Sequence, residues 1–439
     1  MQSTPLIHAR VWHLAGPMIL SNLTIPLLGM VDTAVVGHLE HAYYLGAVAL
    51  GGVIFDFIFW GFGFLRMGTT GITAQALNRG NEIRAILGRS LLTAWVVALV
   101  LLAAQRPIAE ISFHILDGSK EVEQFARQYF QIRIWSAPAT LSTYVLLGWF
   151  LGMHNTRFPL IILLTTNICN IILDIWFVVG KSMAVTGVAL ASVIAEYTGL
   201  LLAILLAAHI LKHNLGDWRW HRIVELSKLK QLFWVNTNIF IRTLCLLFAL
   251  AFFTAQSAKQ SDHILAANAV LLQFQMFMAY GLEGFAHAIE ALVGRAVGLA
   301  DLSLYRVTIK TAGLWSLLVA LLFTVLYGLS GHWLVGLLTN IEAVKAFAIS
   351  YLPWVVASPI ISVWCFLFDG IFIGATRTKE MRNTMFFSTF LCYLPAWYIL
   401  QPLGNHGLWI AFLIFMAARG ISMAWIYPQI GRDIELRRT

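Results

Sequence analysis

Apolar runs of roughly 20 residues or more, separated by short polar gaps, recur along the whole of this chain. No other feature restricts the possible folds so tightly. A helix of that length spans the ~30 Å hydrocarbon core of a bilayer at ~1.5 Å per residue, whereas a barrel strand needs only ~10 alternating residues. Inside lipid every backbone N–H and C=O must be satisfied internally, so runs of this kind form helices. Composition agrees. Of 439 residues, 59% are hydrophobic and 11% charged, against roughly 25% charged in a soluble domain, and the mean hydropathy is +0.78. So few charges could not cover a globule of this size.

A pass along the chain places twelve spans, near 14–37, 45–77, 90–113, 124–151, 158–180, 184–210, 231–256, 264–294, 308–331, 343–373, 383–402 and 407–427. With the N-terminus inside, the cytoplasmic gaps collect Arg79, Arg84, Arg89, Arg157, Lys212, Arg219, Arg222, Lys228, Lys230, Arg306, Lys310, Arg377, Lys379 and Arg382, among others. The opposite gaps hold Arg106, Lys120, Arg127, Lys181, Lys259 and Lys345. The positive-inside rule then puts both termini in the cytoplasm and the chain in the cell inner membrane. The net charge of +8 is spread over these gaps instead of one aromatic-lined face, which argues against nucleic acid as a partner. Cys169, Cys245, Cys365 and Cys392 lie in apolar runs without a CxxC pair, so neither a metal nor a redox motif is expected. The first apolar run is long and interrupted by Ser21, Asn22, Thr24, Pro26 and Asp32, unlike a cleavable signal.

The polar stretch between His209 and Lys230 divides the chain into an N-terminal lobe, 1–210, a cytoplasmic loop, 211–230, and a C-terminal lobe, 231–439. The halves resemble each other weakly, either as an internal repeat or because any two membrane halves share Gly, Pro and Arg at loop edges. Pro138 precedes Gly152-Met-His-Asn-Thr-Arg, and Pro359 precedes Gly374-Ala-Thr-Arg-Thr-Lys at nearly the same distance; Arg79-Gly80 closes span two as Arg295 closes span eight. Six spans return the chain to its starting side, so the lobes are expected to be parallel repeats about a pseudo-two-fold axis along the membrane normal.

Ionisable groups within spans cost about 2.5–3.5 kcal/mol each on insertion scales and need a reason. Asp32 lies in Gly29-Met-Val-Asp-Thr-Ala-Val-Val-Gly37 with no basic residue within a helical turn. A carboxylate in a low-dielectric cavity without a counter-cation can take up a proton near neutral pH; the other reading is an aspartate that reaches interfacial water. Pro17 and Pro26 upstream each remove a backbone hydrogen bond and invite a bend. Asn170 and Asp174 are four apart and share a helix face. They either line a polar cavity or glue helices together. Glu283, His287 and Glu290 follow at i, i+4 and i+7. Without an HExxH-type signature they suit a wet vestibule with a salt bridge to Arg242 or Arg295 better than a metal site. Asp369 is a further ion-site candidate, and Arg66 is expected to pair with an acid such as Asp56 or to snorkel.

Taken together, Leu14-Ala-Gly-Pro17, Val31-Asp-Thr-Ala-Val-Val-Gly37, Phe64-Leu-Arg-Met-Gly-Thr-Thr-Gly-Ile-Thr-Ala-Gln-Ala76 and Asn167-x-x-Asn170-x-x-x-Asp174 resemble the multidrug and toxic compound extrusion (MATE) transporters, in particular their DinF-like branch. The resemblance runs over essentially the whole chain. It implies an antiporter with two six-helix lobes around a V-shaped cavity, exchanging a cation for amphipathic, often cationic, organic compounds; a monomer is expected. It also implies a coupling site at the positions matching Asp32, Tyr129, Asn170, Asp174 and Ser192, with Asp32 as proton switch and bending near Pro17 or Pro26 as the response. The NorM-like branch carries a span-seven glutamate; here that span offers Arg242 and no acid, although Asp369 matches that branch's span-ten aspartate. The missing acid favours protons, while Glu283 could replace it and keeps sodium open. No cofactor is expected. A flippase for lipid or lipid-linked precursors stays an alternative cargo reading. An intramembrane lipid-modifying enzyme would need a GxSxG or HExxH constellation; the chain has only His38 and His41 in a short loop.

Overall fold

In the computed structural model, the backbone is described for residues 4–37, 42–77, 79–116, 119–213 and 217–437, and the side chains of all these except 4, 5, 27–37, 42 and 213. The N-terminal half contains α1 (Thr4–Gly37), α2 (Ala42–Gly61), α3 (Phe64–Gln75), α4 (Gly80–Ala103), α5 (Gln105–Leu116), α6 (Lys120–Arg133), α7 (Ala137–Gly152), α8 (Arg157–Asp174) and α9 (Ala184–His213). The short α10 (Trp220–Ile223) leads to α11 (Leu226–Ala258), α12 (Asp262–Gly298), α13 (Leu302–Leu338), α14 (Glu342–Gly374), α15 (Thr378–Phe386), α16 (Leu394–Leu400) and α17 (Asn405–Leu436). Several run end to end. A tight turn at Phe62–Gly63 joins α2 to α3, a 3-10 turn at Ile134–Ser136 joins α6 to α7, and π segments at Ile175–Gly180 and Phe387–Tyr393 extend α8 and link α15 to α16. With α5 also following α4 across the single residue Ala104, and the four-residue α10 left aside, the described residues form twelve rods, ten of them long and apolar enough to cross a membrane.

Local chemistry explains the ends. Ser119, Ser261 and Asp301 cap α6, α12 and α13 by accepting from the N–H groups of Val122, Ile264 and Leu304, each satisfying a donor that the first turn leaves orphaned. Span three begins at Gly80, earlier than expected from hydropathy. Its polar first turns are stable because Arg89 pairs with Glu82 and Arg84 donates to the Leu211 carbonyl. Outward faces are apolar, with Leu99 61% and Leu329 84% exposed, whereas Asp174 and Asn170 are buried. That inversion suits a lipid solvent.

The chain forms two compact units, one comprising Leu20–Phe233 and the other Met1–Ile19 with Trp234–Thr439. The division expected from sequence, which assigned all of 1–210 to one lobe, thus differs at the start. The first residues of α1 pack in the unit that holds the C-terminal half. Trp315 Nε1 donates to His8 Nδ1 at 3.1 Å, Trp12 meets Phe285 and Trp315 edge-on, and Gly284 lies so close to Ala15 and Ile19 that a Cβ there would clash. From Leu20 onward α1 belongs to the other unit, and the changeover falls between Pro17 and Pro26. The helix runs unbroken through both prolines.

The internal repeat is visible as repeated packing. In the first unit, Gly148 and Gly152 of α7 press on the Arg66 and Thr70 carbonyls of α3. In the other, Gly370 and Gly374 of α14 press on the Ala286 and Glu290 carbonyls of α12. Both Gly-x-x-x-Gly helices end in the same C-cap. His154 and Thr376 adopt positive φ, and the N–H groups of Asn155 and Arg377 reach back to the carbonyls of Phe150 and Phe372. This is the Schellman pattern, here without its usual glycine.

Candidate functional site

Asn170 and Asp174 lie at the end of α8 just before its π segment, and Ser192 faces them from α9. All three are buried. One orientation of the Asn170 amide satisfies both its ends. Its nitrogen donates to Asp174 Oδ2 at 3.0 Å, and its oxygen accepts from the backbone N and the Oγ of Ser192 at 3.2 Å each. Asparagine suits this place because a carboxylate takes only acceptor roles when ionised, while an amide can serve a donor and an acceptor together. Asn167, one turn earlier on α8, donates to Thr24 Oγ1 of α1 at 2.9 Å, and Thr24 in turn donates to the Ser21 carbonyl. One face of α8 therefore carries Asn167 toward α1 and Asn170 toward α9. Asn167 stood in the sequence motif without an assigned role, since spacing alone does not say which neighbour a polar face meets.

Tyr129 sits on α6 with its ring so close to Gly51 of α2 that any Cβ there would overlap it, and edge-on to Phe55. The side chain of Asp32 lies outside the described residues, as do His38 and His41. Arg133 is the basic group whose field acts on both Asp56 and Glu196. The sequence leads one to expect Arg66 to pair with an acid such as Asp56 or to snorkel; Arg133, which acts on Asp56, comes from α6 and not from the helices that carry Asp56 or Arg66.

The C-terminal unit has its own charged centre. Asp369 of α14 accepts on Oδ2 from Arg242 of α11 and, at 2.9 Å, from Arg419 of α17. The sequence leads one to expect a salt bridge from the α12 stripe to Arg242 or Arg295; of these two, Arg242 pairs with Asp369. Two guanidiniums on one carboxylate repel a further cation, which counts against Asp369 as a cation ligand. On α12, His287 Nδ1 faces Glu290 Oε1 at 3.5 Å, both buried. Glu283 lies one turn before His287 on the same helix.

Comparisons with known proteins agree with this architecture. The MatE family profile matches twice, over residues 17–176 and 238–399, as a duplicated chain requires. DNA damage-inducible protein F of Escherichia coli K12 is 44% identical over 436 residues, covering 96% of this chain and 92% of that one. A probable multidrug resistance protein NorM of Thermotoga maritima is 25% identical over 434 residues, covering 94% and 90%. Among solved structures, a MOP superfamily transporter from Pyrococcus furiosus superposes with a TM-score of 0.88 at 18% identity, covering 98% of each chain. The Vibrio cholerae MATE transporter VcmN in its bent form gives 0.86 at 19% identity, covering 99% of each. These last two show a shared fold. With the profile matching most of the sequence in two copies, the chain belongs to the MatE family of membrane transporters.

Proposed function

We propose that this protein is a proton-coupled antiporter that exports amphipathic, often cationic, organic compounds by alternating access across the cell inner membrane. The observation that supports the reading is the buried hydrogen-bonded set of Asn170 and Asp174 on α8 with Ser192 of α9, α8 being tied to α1 by Asn167. A buried carboxylate held by an amide changes that bond when it gains a proton, because the acid becomes a donor where the anion only accepted. Asp32 is the switch in this reading, with Tyr129, Asn170, Asp174 and Ser192 completing the coupling site. Its helix passes from one compact unit to the other between Pro17 and Pro26, so a change in its outer half has a direct route to the unit that holds its inner half. Pro17 and Pro26, which give up backbone hydrogen bonds, are the places for it to bend. Protonation drives transport only as far as it favours one conformation over the other.

The test is transport in proteoliposomes with proton and sodium gradients imposed separately. Wild type is expected to export a cationic dye when protons flow inward, and Asp32→Asn is expected to insert normally and lose this gradient-driven export. Full export by Asp32→Asn under a proton gradient would overturn the assignment of Asp32. Export driven by sodium alone would transfer the coupling to that ion.

A further inference from the structure

Arg242, Asp369 and Arg419 form a buried group of three charges that sums to one excess positive charge. They are 7%, 6% and 2% exposed. Both arginines donate to the same oxygen, Asp369 Oδ2, while Asp369 Oδ1 accepts from neither. Among the described residues no other carboxylate pairs with either guanidinium. Glu290 of α12 faces His287, and neither guanidinium. The remaining N–H groups are poorly used. Arg242 Nε and Arg419 Nε have no acceptor, Arg419 Nη1 reaches only the weak acceptor Met416 Sδ at 3.4 Å, and the Arg419 guanidinium lies over the Phe415 ring. Neighbouring Cys365 gives its thiol proton to the Ser362 carbonyl and offers no charge.

A buried charge is tolerated when it is paired and hydrogen-bonded, and removing a partner from such a set leaves an uncompensated ion. This group has one guanidinium too many for its single carboxylate, and its unused groups are donors. We propose that it is a binding site for one compact monovalent anion, chloride or the carboxylate of an organic solute. Monovalence follows from the single excess charge. Compactness follows from the narrow access, since the side chains of Arg242 and Asp369 retain only 8% and 9% of their surface. The site is independent of the proton-coupling reading, because Asn170 and Asp174 belong to the other compact unit.

The test measures equilibrium binding of radiolabelled chloride to the purified full-length protein in a bulky sulfonate buffer, with acetate as competitor and as a separate labelled ligand. Saturable binding is expected. Arg242→Gln and Arg419→Gln should each weaken it at least about tenfold, which corresponds to losing one charge-assisted interaction. Asp369→Asn, which raises the excess charge, should tighten it. A structural ion pair without a ligand would give no such gain. Mutual displacement of chloride and acetate marks one site for both, and binding of one without the other identifies the source as inorganic or organic. If a glutamine variant does not fold, Arg242→Lys and Arg419→Lys keep the charge and should retain binding. Absence of saturable binding of either anion to the wild type, unchanged binding in both glutamine variants, or weaker binding by Asp369→Asn would overturn the proposal.

Discussion

Asn170 is the residue on which the N-terminal site turns, because one amide serves Asp174 and Ser192 at once. Replacing it by alanine leaves a buried carboxylate oxygen and a buried backbone N–H without that partner, at about 1–3 kcal/mol. Asn170→Ala is therefore expected to lower the thermal midpoint of the purified protein and to slow transport. Ser192→Ala removes only one hydroxyl donor and should cost about 0.5–1.5 kcal/mol. Equal effects of the two variants in thermal unfolding would contradict this ranking. The Asn170–Asp174 pair was legible in the sequence because i, i+4 spacing fixes a shared helix face. Ser192 was not, since it comes from the next helix and entered only through a family resemblance. Arg242 and Asp369 stood as two separate anomalies for the same reason: pairing across helices leaves no periodic trace.

At the scale of elements, close helix approach depends on four glycines in two equivalent pairs. A Cβ on Gly148 would lie 2.3 Å from the Arg66 carbonyl oxygen, and one on Gly370 2.6 Å from that of Ala286. Neither neighbour is a flexible side-chain end, so α7 or α14 would have to move. Gly148→Ala and Gly370→Ala are each expected to destabilise by about 1–3 kcal/mol. Gly16→Ala, where nothing lies within 4 Å, should be neutral or stabilising. Unfolding midpoints of the three variants, measured side by side, check this, and a loss at Gly16 as large as at Gly148 would refute it. The breaks at Phe62–Gly63 and the π segments escaped the hydropathy reading, because apolar residues continue through them and a span's length in sequence says little about its winding.

For the whole molecule, the charge distribution predicts orientation. Single cysteines at Lys228 and Arg382 in a cysteine-free background should react with an impermeant thiol reagent only from the cytoplasmic side. Cysteines at Lys259 and Lys345 should react only from the opposite side. Reaction of Lys228→Cys and Lys259→Cys from the same face would rule out the proposed topology.

Helical class, the number of spans and the six-plus-six duplication were determined by the sequence itself. Lipid makes hydropathy a direct record of which segments lie in it, and a duplicated chain keeps its glycines and cap residues in register. Tertiary structure alone decided which polar groups meet. It placed the start of α1, up to Ile19, with the C-terminal half, joined Asn167 to Thr24, and set two arginines on Asp369. Those outcomes depend on how helices far apart in sequence rotate and pack. Burial forces each polar group to find a partner, but it does not specify in advance which helix will supply it.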